Sequence, residues 1–488
     1  MPSINDFYQI IWNNINHLDK EFYIDSSNVR KSYHELSVDI QKFFRFFNNQ
    51  KNQLTVILAK KNYDNYCAIL ATVLSGNTWI PLSLENPWER NLEIIMNLKP
   101  KFFFTDMELS DEIKSRFEIF DIKTFLIKEY LEEEILKINN QFLFNYDKTE
   151  IPIIFFTSGS TGIPKGVKIS HEGLSTAVSK IVPLLQISQE IWGDYHDLSF
   201  VISINILFKC VFSGGTIYCG NKIDQFMPCE SLIRNKVTCL ITVPSTLARI
   251  AKNNKFKNIF KSLKTIVSCG EPLPIELMRL YLQNDKTNLF NFYGSTELTS
   301  WIFYHHCKKQ DFLKFNKYGY APIGKVISGN KIKITDEKLL IVQSPQTTPG
   351  YLGENKNSHI YKYMEQDWFS MGDVVEKIGD IYICKGRFDN QIKLNGYRIH
   401  LMDIETQIKK NENIEDCLCV TEQINDNKII TAILVTKFDI EIEFLREFLK
   451  KKLPNYMLPR KVFCIKDKPV NKNGKLDRTK LKSFLYNS

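Results

Sequence analysis

The chain has 488 residues, 43% apolar and 24% charged, with 64 Lys+Arg against 55 Asp+Glu for a net charge of +9. That length fits about two to four domains and the apolar share suffices for packed cores, which excludes disordered, collagen-like and disulfide-scaffold classes. The positive excess is spread through Lys- and Asn-rich sequence without a basic block or arginine-rich arm. It fits a binder of anionic small molecules or of an acidic protein partner, and no nucleic-acid role is expected.

The N-terminal stretch MPSINDFYQIIWNNINHLDK lacks a basic region followed by an unbroken apolar run, so neither a signal peptide nor a membrane anchor is expected. From Gln53, QLTVILA reads as a buried strand, the residues after Asn65 as a helix, TWIPLS as a strand, and PWERNLEIIMNL as a helix opened by proline. This alternation implies a mostly parallel α/β sheet. Further strand-like runs follow: KFFFTD, IIFFT at Ile153, CLITVP at Cys239, TIVSCG at Thr265 and LFNFYG at Leu289. In open parallel sheets ligands sit beyond the carboxyl ends of strands, which makes those ends the expected site.

The most apolar longer window, LSFVISINILFKCVFSGGTIYC from Leu198, contains Asn205 and Lys209 and is punctuated by Gly214 and Gly215, so it reads as a buried segment and not a membrane span. The 11 cysteines are scattered without a CxxC pair, which points to reduced thiols and a cytoplasmic setting. From Val326 the pattern shifts to shorter alternating strands (KIKITDEKLLIV, DVVEKIGDIYICKG), a small antiparallel β segment. Beyond Gly386 come a strand, a turn and a helix, then KIITAILVT, IEIEFLREFLKKKL and a terminal loop with Asn473, Gly474 and Lys475. The predicted organisation is a large α/β domain over 1–388 and a small α+β domain over 389–488, divided at Asp389.

The sharpest local signal is FFTSGSTGIPKG, Phe155 to Gly166. Glycines allow positive φ, so successive N–H groups can turn inward around phosphate oxygens while the hydroxyls of Thr157, Ser158, Ser160 and Thr161 add donors. The loop departs from the Walker pattern, because Lys165 follows a proline and no hydroxyl residue follows the lysine at the magnesium position. A flexible Ser/Gly linker would not need a β-run before it or a further strand after it.

TSGSTGIPKG resembles the signature loop of the adenylate-forming (ANL) superfamily, which includes acyl-CoA synthetases, luciferases and the adenylation domains of nonribosomal peptide synthetases. Further family-like motifs occur in the expected order: SYHEL at Ser32, IPLSLENPWER at Ile80, NFYGSTEL at Asn291, GYLGENKN at Gly350, SMGD at Ser370, GRFDNQIKLNGYRI at Gly386 and NKNGKLDR at Asn471. The resemblance covers nearly the whole chain. It implies ATP-dependent, AMP-forming ligase chemistry: a carboxylate attacks the α-phosphorus, pyrophosphate leaves, and a thiol intercepts the acyl-adenylate.

By this resemblance Thr157, Ser158 and Lys165, with Gly159, Ser160, Thr161 and Gly162 of the same loop, contact the β- and γ-phosphates. Thr296 and Glu297 meet the α-phosphate and Mg²⁺, for which a carboxylate is a suitable hard ligand. Tyr293 lines the adenine, Gly294 belongs to the same cofactor-binding set, Asp373 binds the ribose hydroxyls with its two oxygens, and Arg387 lies on the ribose side. Lys475 bridges the substrate carboxylate and the adenylate, and Asp389 is the hinge about which the small domain rotates before thiol transfer.

Amino-acid-activating relatives carry an aspartate that neutralises the substrate ammonium, and Val201 stands at its position here. Burying an unpaired ammonium costs several kcal/mol, so the expected substrate is a small acid without a free α-amine: an aryl acid, a 2-oxo acid or a short acyl chain. Asp197, four residues upstream, is the acid that a local insertion could bring back to that position. Position matching adds Ile202, Asn205, Thr242, Val267, Cys269, Phe292, Ser300 and Trp301 to the pocket, with Asn205, Thr242 or Ser300 available to a ring hydroxyl.

Only 13 residues follow Lys475, so the acceptor thiol is expected on a separate molecule. The phosphopantetheine arm of an acidic carrier protein in natural-product biosynthesis matches the net charge of +9, with coenzyme A as the alternative. An amino-acid-activating enzyme and a non-catalytic adenylate-binding regulator are the other readings. The regulator is disfavoured because Lys165, Glu297 and Lys475 are all present.

Overall fold

Short apolar runs, most of them followed by a helix, build the inner strands of the two principal sheets. The computed structural model of the protein describes residues 2–47, 49–131, 144–157, 164–353, 360–363, 366–387, 391–394, 396–424, 427–469 and 480–481. The chain divides into two compact units. The first comprises Met1–Ser83, Leu98–Phe156 and Gly166–Phe388; the second comprises Leu84–Asn97, Thr157–Lys165 and Asp389–Ser488. The largest part of the second unit begins at Asp389, and its two short segments come from sequence read as part of the large domain.

One six-stranded sheet runs in the order Lys123–Leu126, Phe102–Thr105, Leu54–Leu58, Thr78–Pro81, Ile153–Thr157 and Lys165–Ile169. Its first five strands pair in parallel. A nine-stranded sheet has the order Lys325–Val326, Trp301–His306, Asn288–Gly294, Thr265–Cys269, Cys239–Thr242, Ile191–Asp194, Thr216–Cys219, Glu21–Asp25 and Arg30–Ser32. Its six inner strands are parallel and its edges antiparallel. Thr242, Cys269 and Gly294 therefore sit at one common edge, the carboxyl ends of three neighbouring strands. A five-stranded antiparallel sheet over Lys331–Arg387 accounts for the change of texture after Val326.

A single apolar cluster joins side chains of both parallel sheets with the helices Ile4–His17, Tyr63–Leu74, His171–Ser179 and Val201–Phe212. The Val201–Phe212 helix is buried from Ile202 through Val211, as a helix that is apolar around its circumference must be. Its C-terminal carbonyls at Val211 and Phe212 accept from the Asn14 side chain at 2.8 and 3.0 Å, which satisfies groups that no backbone partner reaches. Among the described residues no helix is long and apolar enough to cross a membrane, and all 11 cysteines are free thiols.

In the second unit, the hairpin Gln391–Leu394 and Tyr397–His400 leads into the helix Leu401–Ile408. The strands Asp416–Ile424, Asn427–Val435 and Lys461–Ile465 form a three-stranded sheet with the helix Ile442–Lys450 between the last two in sequence.

Candidate active site

The strand Asn288–Gly294 delivers Phe292 and Tyr293 to the common edge and stops at Gly294. A Cβ at Gly294 would lie 2.0 Å from the Ser300 carbonyl oxygen, so only glycine lets the chain fold back this closely. A short 3₁₀ turn, Thr296–Leu298, follows, and then Thr299 takes φ 59° and ψ −38°. Positive φ in a β-branched residue is a strained conformation. It is held by the Thr299 hydroxyl donating to the Gln346 carbonyl at 2.8 Å and by the Ser300 N–H donating to the Leu298 carbonyl at 2.5 Å. The reversal lets Glu297 and Ser300, three residues apart, serve different partners.

Glu297 is 2% exposed, and Oε1 accepts from the Tyr351 hydroxyl at 3.1 Å. Tyr351 is placed by an isolated bridge to Val167 and by the Leu352 N–H donating to the Gly166 carbonyl at 2.8 Å. The Thr348 N–H donates to the Glu297 carbonyl at 2.7 Å. Nearby in sequence, Ser295 Oγ and Thr347 Oγ1 are buried without a hydrogen-bond partner among the described residues, a pattern that leaves polar atoms for a ligand. No cluster of three His, Cys, Asp or Glu side chains that could hold a metal occurs among the described residues. A Mg²⁺ here would rely on Glu297 together with phosphate oxygens and waters, which suits that ion.

Asp373 and Arg387 face each other in register on the strands Gln366–Ile378 and Ile381–Arg387. Asp373 Oδ2 accepts from the Tyr293 hydroxyl at 2.6 Å and from Arg387 Nη1 at 3.4 Å. Burial, and secondly the Asp373 carboxylate, push the Tyr293 hydroxyl well above its usual pKa, so it stays protonated and donates. The structure thus brings together three residues that the sequence held far apart.

Val201 opens the Val201–Phe212 helix after Phe200, a residue with no capping oxygen. Asp197 lies before the helix: Oδ1 accepts from the Ser199 N–H at 2.8 Å, and Oδ2 accepts from the Ser83 hydroxyl at 2.8 Å. It does not occupy the Val201 position. Asn205, one turn into the helix, donates to the Val201 carbonyl at 2.8 Å, and its Oδ1 accepts from both the Ser300 hydroxyl and Lys209 Nζ. Lys209 is 0% exposed, and its ammonium sits 4.8 Å from the centre of the Trp301 ring. Burial pulls its pKa well below the ordinary lysine value.

Trp301 tilts against Phe292 at 4.8 Å between ring centres. Cys269 is in register with Phe292, and its Sγ approaches the Thr242 carbonyl at 3.8 Å. Val267 and Ile202 join the same apolar cluster. Thr242 differs, because strand pairing places it beside Ser268, on the strand face opposite Val267 and Cys269. Its Oγ1 is buried without a partner among the described residues. Thr157 ends one strand and Lys165 opens the next. Ser158, Gly159, Ser160, Thr161, Gly162, Asp389 and Lys475 lie outside the described residues.

Residues 12–352 match the family described as AMP-binding enzyme. The chain belongs to that family. It is similar to the D-alanine–D-alanyl carrier protein ligase of Staphylococcus epidermidis, 26% identical over 93% of this chain and 94% of the relative. It also resembles Gramicidin S synthase 1 of Brevibacillus brevis, 25% identical over 98% of this chain, and spans only 44% of that relative's length. Among solved structures, o-succinylbenzoate CoA synthetase from Bacillus subtilis shares the fold with a TM-score of 0.82, at 19% identity over 97% of this chain and 98% of that one.

Within this AMP-binding enzyme the sequence reading missed two residues that the fold places in the site. Tyr351 stands in the GYLGENKN motif but gave no hint that it would hold Glu297. Lys209 carried a signal: it follows Asn205 by four residues, one helical turn, in an otherwise apolar run.

Proposed function

We propose that this AMP-binding enzyme uses ATP to couple a small carboxylic acid lacking a free α-amine to AMP, releasing pyrophosphate, and then passes the acyl group to the phosphopantetheine thiol of a carrier protein. The Ser158–Gly162 loop with Thr157 and Lys165 would hold the β- and γ-phosphates, and Thr296 the α-phosphate. Asp373 would take the ribose hydroxyls beside Arg387, with Tyr293 at the adenine and Gly294 in the same cofactor-binding set. Lys475 would neutralise charge as the carboxylate attacks, and Asp389 would be the pivot between the two half-reactions. Glu297 would hold Mg²⁺, which supplies charge neutralisation on the phosphates when bound. We keep the division at Asp389 into a large domain over 1–388 and a small one over 389–488, and a cytoplasmic setting for the free thiols.

One observation carries the substrate class: Val201 stands where an ammonium would need a carboxylate, and Asp197 is spent on Ser199 and Ser83. The D-alanine in the name of the Staphylococcus relative favours a second reading, amino-acid activation. ATP–pyrophosphate exchange across a panel of acids separates the two. We expect exchange with acids lacking an α-amine; a preference for a common α-amino acid overturns the Val201 argument. Offering the adenylate to a carrier protein and to coenzyme A decides the acceptor, with faster transfer to the carrier expected.

A further inference from the structure

Lys209 is fully buried on the Val201–Phe212 helix, beside the Asn205 amide and the Trp301 ring. A lysine ammonium has three donors. One is taken by Asn205 Oδ1, and that oxygen also accepts the Ser300 hydroxyl, so its acceptor capacity is filled. The Trp301 ring face, 4.8 Å away, offers a diffuse attraction but no hydrogen-bond acceptor. No Asp or Glu lies within salt-bridge distance of Nζ among the described residues; the ion pairs of this unit, such as Lys61 with Asp194 at 3.4 Å, lie elsewhere. With donors unused and no counter-charge among the described residues, burial disfavours the charged form of this lysine, and an anion placed beside Nζ would restore it.

We propose that the missing counter-charge comes from the substrate, and that the acid activated here is a small dicarboxylic acid whose second carboxylate pairs with Lys209. This rests on the adenylation reading above and narrows it. One carboxylate enters the coupling to AMP, and the other reaches the floor of the pocket, where Lys209 donates to it and Asn205 and Ser300 fix the lysine's position. Lys209 is thereby the specificity-determining residue of the pocket. Val201 fits the same arrangement, since an acidic side chain at that position would compete with the substrate for the lysine.

The test is ATP–pyrophosphate exchange with malonate, succinate and glutarate beside propionate, butyrate and valerate, each pair matched in chain length, plus a 2-oxo acid and a hydroxybenzoate. The wild-type protein is expected to favour the best dicarboxylic acid over its matched monoacid by about 100-fold in kcat/KM. Lys209→Met, which keeps the length of the side chain and removes its charge, is expected to lower that kcat/KM about 100-fold and to raise the matched monoacid's. Preference of the wild type for a monocarboxylic, 2-oxo or hydroxybenzoic acid overturns the proposal whether or not the variant folds. An unchanged dicarboxylate preference in a folded Lys209→Met protein overturns it as well. Exchange with none of the acids brings down the adenylation reading itself, whereas exchange with a monoacid leaves that reading standing and removes only the role of Lys209.

Discussion

The two sides of the site treat charge in opposite ways. Around Tyr293, Asp373 is already matched, by Tyr293 at 2.6 Å and by Arg387 at 3.4 Å on the paired antiparallel strand. Beside Trp301, Lys209 has a neutral amide oxygen and an indole face but no anion among the described residues. A group satisfied by the fold stays in position whether or not a ligand is there, so it can serve a ligand common to a whole family. A group left short of partners adds binding energy only when the right ligand arrives, so it selects.

The largest expected effect lies beyond both sides. Lys475→Ala is expected to lower adenylation of the true acid by about 10³-fold while ATP still binds; retained pyrophosphate exchange would show that charge neutralisation by this lysine is not required. The Lys209→Met change described above comes next and tests the unmatched side directly. Asp373→Asn probes the matched side: it keeps the shape, removes the charge that Arg387 and Tyr293 share, and is expected to raise KM for ATP about tenfold. Because the pocket is untouched, its ranking of acids should not move, and a changed ranking in exchange assays would break the division drawn here.

A separate effect, on stability and not on activity, concerns another poorly partnered charge, in the second unit. Asp403 has a fully buried side chain, and its nearest cation is Arg90 at 3.5 Å. Neither carboxylate oxygen has a hydrogen-bond partner within the described residues. Burial outweighs the arginine and raises the carboxyl pKa from 3.8 to about 6. Between those values the folded chain binds more protons than the unfolded one, so stability should fall as pH rises from about 4 to about 6 and stay lower above it. Asp403→Asn removes this dependence and is expected to stabilise the protein by about 2 kcal/mol at neutral pH. Denaturant unfolding at pH 4.5 and 7.5 measures it, and equal pH dependence in both proteins would refute it.

Strand-like runs and their order were legible because each is short, apolar and closed by a turn residue; IIFFT, TIVSCG and LFNFYG all became parallel strands within about a residue of their expected bounds. The motif residues Asp373, Arg387 and Tyr293 could be named from local pattern. Their mutual contact could not, since it depends on a side-chain contact between two different sheets across some 80 positions of sequence. Likewise Ser83 meeting Asp197, and Tyr351 meeting Glu297, are long-range events that no local window contains.

The amino-acid sequence by itself determined the alternation of strands and helices, the glycine- and hydroxyl-rich loop, and the valine at position 201. These depend on side-chain period and local backbone freedom, which neighbours along the chain suffice to set. Only the tertiary structure decided that Asp197 is engaged elsewhere and that Lys209 is buried with no carboxylate beside it among the described residues. Burial and pairing depend on distances across the fold, and in a medium of low polarity those distances decide whether a charge is satisfied or waiting for a ligand.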